Sequence, residues 1–359
     1  MRRHCVSCLF LVLIMMFVAL PAADPARGCA VAPPRNKYVD IAEETALIVW
    51  DSQSKTEHFI RRASFQTDVD NFGFLVPTPT QPELHEADDK AFDELARITA
   101  PQIVTQPKPS SGGCAAGCSA AAPKAMTAGP PGDVTVVEQK RVAGHDTAVL
   151  KADDVDALSK WLTEHDYPFD PNLKDWADHY IKAKWYVTAF KIAKPEEGAS
   201  KVNTKAVRMS FHTEQPFFPY REPKDPRHVN FDTGLVRLLR VYVVSDNRIK
   251  GQIGGKDGTW PGTAAWSNLV QPGDRKKVLE LAKLPDDMRQ GNWWLTEFED
   301  RSYPRKGYDD VYFTASDDQR PVSRPPIIQY VSLSPRECVL CYALTACLCI
   351  PLLAWRFRR

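Results

Sequence analysis

The sequence lacks the signatures from which a reaction is ordinarily read. It has no HExxH zinc-protease motif, no GxSxG elbow, no Walker loop and no CxxCH haem site. Charge of one sign is also missing: 46 Lys and Arg face 45 Asp and Glu, a formal net charge of +1. Nucleic acid demands a concentrated basic face, so no nucleic-acid partner is expected. Cysteine is scarce where it would matter. Of nine, Cys5 and Cys8 fall in an N-terminal apolar segment, and Cys338, Cys341, Cys347 and Cys349 in a C-terminal one. The body keeps Cys29, Cys114 and Cys118, too few for a disulfide-built scaffold. No two histidines of the body stand at helical ligand spacing, and neither a metal nor a cofactor is expected.

What is present begins with a core. Apolar residues make up 43 % of the 359, which excludes wholesale disorder. The 29 prolines favour short strands and many loops over a helical bundle, because each removes a backbone donor. The two ends set the compartment. Residues 1–28 read as a signal peptide: Arg2 and Arg3, the apolar run Leu9 to Leu20, then Pro21, Ala22 and Ala23, with cleavage between Ala22 and Gly28. That run is too short to span a hydrocarbon core of about 30 Å. Ala26-Arg27-Gly28 before Cys29 is a poor lipidation box. Residues 336–359 read as a transmembrane helix with a basic cytoplasmic tail, since Cys338 to Trp355 carries no charge and Arg356, Arg358 and Arg359 follow. The partner this implies is a membrane, crossed once, with the body outside the cytoplasm.

Between the ends, residues 29–100 form a β-rich part. Ala46 to Trp50 is a buried strand, Asp51-Ser52-Gln53-Ser54 a turn, and Glu57 to Phe65 the return strand of a hairpin. Phe72 to Val76 is a third strand running into Pro77-Thr78-Pro79-Thr80-Gln81-Pro82, which must be extended and cannot be central in a sheet. Asp88 to Ile98 is a short helix. Residues 101–132, rich in Pro, Gly, Ser and Ala, read as a flexible insert. Residues 133–335 form an α+β part. Strands are expected at Val134 to Gln139, Asp146 to Lys151, Trp185 to Ile192, Ala206 to His212, Val236 to Val244, Trp293 to Glu299 and Ile327 to Ser332. Helices are expected behind Asp153 or Asp154, over Asn172 to Ala183 and near Arg275 to Leu284. The fold class is α+β: mainly antiparallel sheets with a few short helices, plus the C-terminal transmembrane helix.

Several residues could carry chemistry. Cys114 and Cys118, four apart in the insert, could form a disulfide, stay as thiols, or serve metal or redox use. His85, Glu86, Asp88 and Asp89 gather metal-capable groups, yet they stand where a helix begins and acids favour its dipole. Asp68-Val69-Asp70-Asn71-Phe72-Gly73 resembles the start of a calcium loop but puts Phe72 where an oxygen is needed. Gly251 to Lys256 is a turn, not a phosphate loop. Trp260, Trp266, Trp293 and Trp294, with the proline-framed Phe217-Phe218-Pro219-Tyr220-Arg221-Glu222-Pro223, could line a groove or pack a core.

Several segments together resemble an exported bacterial family catalogued as domain of unknown function 2330. They are Ala46 to Trp50, Glu57-His58-Phe59-Ile60, Phe72 to Pro79, Ala91-Phe92-Asp93-Glu94-Leu95, Ala148 to Asp154 leading into Ala157 to Leu162, and Lys184 to Ile192. The likeness covers roughly residues 29–250. It implies a signal sequence and often a C-terminal membrane helix, and brings no activity, ligand or catalytic residue. Cys29 is followed here by Ala30-Val31-Ala32-Pro33, where the family continues with glycine and aromatic residues. The resulting expectation is a membrane-anchored module of a bacterial envelope that binds a peptide, glycan or protein without catalysis, with Tyr220 and Trp293 as binding residues and Val76 to Pro82 as the edge of a groove. The rivals are a hydrolase assembling His58, His212 and Asp225, and a thiol or metal protein using Cys114 and Cys118.

Overall fold

A computed structural model describes residues 29–32, 39–67, 69–107, 135–167, 172–193, 201–223, 237–254, 258–289, 291–302 and 309–331. The signal peptide, Cys114 and Cys118, Asp225 and the apolar run Cys338 to Trp355 lie outside them. Among the described residues no helix is long and apolar enough to cross a membrane.

The described part is mostly β with four helices, and its sheets are largely antiparallel. One sheet of five strands runs in the order β1 (Ala30–Ala32), β4 (Asn71–Thr78), β9 (Tyr186–Ala193), β8 (His145–Lys151), β7 (Thr135–Val142). A larger sheet runs β16 (Thr263–Leu269), β17 (Trp294–Asp300), β13 (Leu238–Ser245), β2 (Val39–Asp51), β3 (Thr56–Thr67), β11 (Val207–His212), β5 (Glu83–Glu86), and β10 (Lys201–Asn203) also pairs with β3. A smaller sheet orders β12 (Phe217–Phe218), β18 (Val311–Ala315), β14 (Ile249–Ile253) and β15 (Gly258–Thr259). Finally, β6 (Ile103–Pro107) and β19 (Ile327–Val331) make a two-stranded parallel ribbon.

Three apolar clusters stack these elements into layers. The outer face of the five-stranded sheet, with Leu75, Leu150 and Val187, packs on α2 (Val155–Glu164) and α3 (Asn172–Lys182) through Trp161, Leu162, Trp176 and Tyr180. Its inner face, with Phe72, Phe74 and Phe190, meets Ile48, Phe59, Phe65, Met209 and Val241 of the large sheet and Phe217 and Phe313 of the small one. The far face of the large sheet, with Leu47, Ile60, Tyr242 and Leu295, is covered by Phe92 and Leu95 of α1 (Lys90–Ile98) and by Val278 and Leu279 of α4 (Pro272–Leu281). The order is helix, sheet, sheet, helix. Strands buried on both faces need not alternate, which is why β3 is buried at nine of its twelve positions, Thr67 included.

Most expected elements are present, several of them longer. The hairpin arm extends back from Ala46 to Val39 because Glu44, which reads as polar, is buried against Arg61 with Oε1 at 2.6 Å from Nη2. Pro77 lies within β4 opposite Val187, beyond Leu75, where β1 pairing ends. Its missing N–H therefore costs no ladder bond on the open side. The flexible insert is corrected at its start. Ile103–Pro107 form a strand, because Ile327–Val331 supply hydrogen bonds from far along the chain. Residues 108–134 lie outside the description.

Candidate functional site

β2 and β13 are central neighbours in the large sheet and run parallel, Val49 opposite Val244. Both chains therefore leave the sheet at the same end. β2 leaves through a turn that Asp51 builds with its own side chain. Its Oδ1 accepts the Gln53 amide at 2.9 Å and the Ser54 amide at 3.3 Å, and its Oδ2 accepts the Ser54 hydroxyl at 2.6 Å. β13 leaves through Asp246-Asn247-Arg248, steadied by the Ser245 hydroxyl donating to the Asn247 carbonyl at 2.6 Å. The Ser52 hydroxyl joins the turns by donating to Asp246 Oδ2 at 2.6 Å. A third wall comes from the 3-10 turn Asp286–Arg289 and from Gly291 to Trp293. Gly291 has φ +78°, a left-handed conformation that an L side chain adopts only with strain. Arg275 of α4 donates to its carbonyl at 2.6 Å and lies 5.5 Å from the centre of the Trp293 ring. Trp293 Nε1 donates to the Met288 carbonyl at 3.1 Å.

These walls enclose an open hollow of about 250 Å³, to which Trp50, Asp51, Gln53, Asp246, Asn292 and Trp293 all contribute. Among the described residues its lining contains carboxylates, amides, hydroxyls and aromatic edges, with the Arg275 guanidinium behind Gly291 and Trp293. Partial burial pushes the Asp51 carboxyl up, but the hydrogen bonds from Ser54 and Gln53 outweigh this and hold it below its ordinary value. It is therefore ionised at neutral pH. A carboxylate already accepting three hydrogen bonds is a poor proton donor, and of about four lone-pair sites it keeps about one for a ligand.

Trp293 thus borders the hollow, although only 5 % of its surface is exposed and most of the ring is core. Tyr220 does not. It is 0 % exposed, and its hydroxyl donates to Asp300 Oδ2 at 2.7 Å in the interior. The surrounding Phe217 to Pro223 segment is a packed strap. Pro219 accepts the Cys29 amide at 3.2 Å, the Arg221 amide donates to Asp310 at 3.1 Å, and Glu222 pairs with buried Arg237. The Val76 to Thr78 stretch is buried, and the Thr80 hydroxyl donates to the His212 carbonyl at 2.7 Å.

Of the proposed acid–base set, His58 and His212 do not line the hollow, and Asp225 lies outside the described residues. His58 is buried with Nδ1 at 2.8 Å from the Ser210 hydroxyl. His212 is more than half exposed and stands 3.7 Å from Glu214. The acids after His85 are used as structural acceptors: Glu86 takes the Ala143 amide, Asp88 the Lys90 amide and Asp89 the Ala206 amide. Among the described residues no three His, Cys, Asp or Glu are grouped to hold a metal. Trp50, Asp51, Asp246 and Asn292 were not singled out in the sequence as binding residues. The one local signal was the turn cluster at Asp51 to Ser54. Its partner turn at Asp246 is 194 residues away from Ser52.

The comparisons with known proteins speak to family and not to chemistry. No curated protein matches the chain. The crystal structure of baculovirus P35 is similar over 83 % of this chain and 100 % of its own, at 8 % identity and a TM-score of 0.36, which is too loose a likeness to bear on function. Residues 21–299 match the model of an uncharacterized protein conserved in bacteria, DUF2330, and the chain belongs to that family.

Proposed function

We propose that this chain is a non-enzymatic binding module of the bacterial cell envelope, which takes its ligand in the hollow between the Asp51, Asp246 and Trp293 turns. In this reading residues 1–28 direct export, and 336–359 hold the body to the outer side of the cytoplasmic membrane. The observation that carries the binding reading is the lining. The acceptor-rich turns and two Trp edges suit a group that presents hydroxyl or ammonium donors. The volume, below the roughly 300–1,000 Å³ of drug-sized sites, suits one residue of a glycan or peptide and not a whole cofactor. Asp51, held as a carboxylate by the turn, is unsuited to acid catalysis.

The test is calorimetric titration of the full-length protein in detergent with a panel of mono- to tetrasaccharides and short peptides. A binder is expected whose affinity falls roughly tenfold or more in Asp51→Asn and in Asn292→Ala, since hydrogen bonds to charged groups contribute about 1.5–3 kcal/mol. Binding that both variants retain unchanged would remove the hollow from the reading. Turnover of the bound compound would replace the module with an enzyme.

A further inference from the structure

The ribbon of β6 and β19 is anomalous for a parallel pair. Parallel strands are normally covered on both faces, and isolated two-stranded units are marginal in water. Here every residue of β19 is exposed. Of the seven large apolar side chains that stand exposed among the described residues, six belong to the ribbon. They are Ile103, Val104, Ile327, Ile328, Tyr330 and Val331, between 38 % and 66 % exposed. Neither strand carries a charge, in a chain that is 25 % charged. A patch of this kind marks an interaction surface.

The root of the ribbon is rigidly held. The Ile327 amide donates to the Gln102 carbonyl at 2.8 Å. Arg324 donates through Nε to the Thr99 carbonyl at 3.1 Å and through Nη2 to Glu297 and Glu299 at 2.7 and 2.8 Å. Its free end leads straight to the apolar run. Only residues 332–337 separate Val331 from Cys338. Six residues and their two flanking links reach at most about 25 Å when fully extended. If Cys338 to Trp355 crosses the bilayer, the ribbon therefore stands within that reach of the hydrocarbon boundary. Tyr330 is the residue type that settles at this interface.

We infer that the β6–β19 ribbon is a membrane-interface foot, its apolar side chains laid into the headgroup layer of the outer leaflet beside the transmembrane helix. Its backbone edges remain hydrated there, as the hydrocarbon core would not allow. With Arg324 clamping the root, the foot fixes how the body faces the membrane. The inference rests on the anchoring reading of residues 336–359.

The test places a photo-crosslinking benzophenone side chain in the full-length protein, reconstituted in phosphatidylethanolamine–phosphatidylglycerol vesicles. The positions are Tyr330 or Ile328 in the foot, Leu344 in the apolar run, and Glu83, on the strand at the opposite edge of the large sheet. All are read by mass spectrometry. Lipid adducts at Tyr330, Ile328 and Leu344 with none at Glu83 are expected. Adducts at Leu344 alone would overturn the foot and leave the anchor standing. Adducts at neither Leu344 nor the ribbon would overturn both. A crosslinked product of twice the chain mass from Tyr330 would replace the lipid by a second copy, and equal labelling at Glu83 would also overturn the foot.

Discussion

Asp310 lies in the interior with Oδ1 accepting the Tyr180 hydroxyl at 2.8 Å and the Arg221 amide at 3.1 Å, while Oδ2 has no hydrogen-bond partner among the described residues. Burial raises its pKa from 3.8 to about 7, against the lowering by hydrogen bonds from the Arg221 amide, the Tyr180 hydroxyl and the Tyr220 amide. The folded form thus keeps a proton that the unfolded chain has released. The stability linked to that proton is fully present below about pH 4 and is lost as pH rises through about 7. Asp310→Asn should flatten this slope, gaining on the native protein by up to about 4 kcal/mol between pH 4 and 8. Urea unfolding across that range reads the difference; parallel slopes would contradict it. Cys29 is a second buried group. Its thiol points at the Pro219 carbonyl, and burial, with Glu44 adding to it and Arg61 opposing, pushes its pKa well up. It should resist iodoacetamide in the native protein at pH 8 and react only in denaturant, as read by peptide mass mapping. Gly251 illustrates packing at its limit. A Cβ there would stand 2.6 Å from the Trp260 ring, so Gly251→Ala should cost about 1–3 kcal/mol and lower the melting temperature.

Elements whose evidence is local were legible. The helix behind Asp153 or Asp154 became α2 because Leu158, Trp161 and Leu162 share a face and Asp154 accepts the Ala157 amide at 2.7 Å. Asp154→Ala should cost about 1 kcal/mol, visible as a small fall in thermal midpoint, whereas Asp153→Ala should cost almost nothing. The hairpin of β2 and β3 was legible for the same reason, with a polar turn between two apolar runs. Strands β14, β16 and β18 were not. Ile249-Lys250-Gly251-Gln252-Ile253 has two apolar residues in five, and its pairing comes from Val311–Ala315, some sixty residues on. The ribbon strand β6 was hidden by neighbours of low complexity. The hollow was illegible for a stronger reason. Its walls are three loops that meet only because β2 and β13 lie side by side, and pairwise register over such separations leaves no periodic trace. Tyr220 shows the converse. An aromatic residue framed by prolines suits a rim as well as a core, and only its contact with Asp300 decides.

At the scale of the molecule, residues before and after the insert share both main sheets, β4 with β9 in one and β2 with β13 in the other. The chain cannot be cut at the insert into two independently folding pieces. Expression of residues 29–107 alone should yield an unfolded or aggregated product, read by circular dichroism, while co-expression with 133–335 could restore the shared sheets.

The parallel pairing of β2 with β13 also sets a clock. β2 ends at Asp51 and its central partner begins at Leu238, roughly 190 residues later. At about 5–20 residues per second of synthesis, the β2–β3 hairpin waits on the order of 10–40 s before the neighbour that completes its edge has been made. For that interval Leu47, Ile48 and Val49 present an apolar strand with an unpaired edge. Until its own late strand arrives, that edge is open to pairing with other chains.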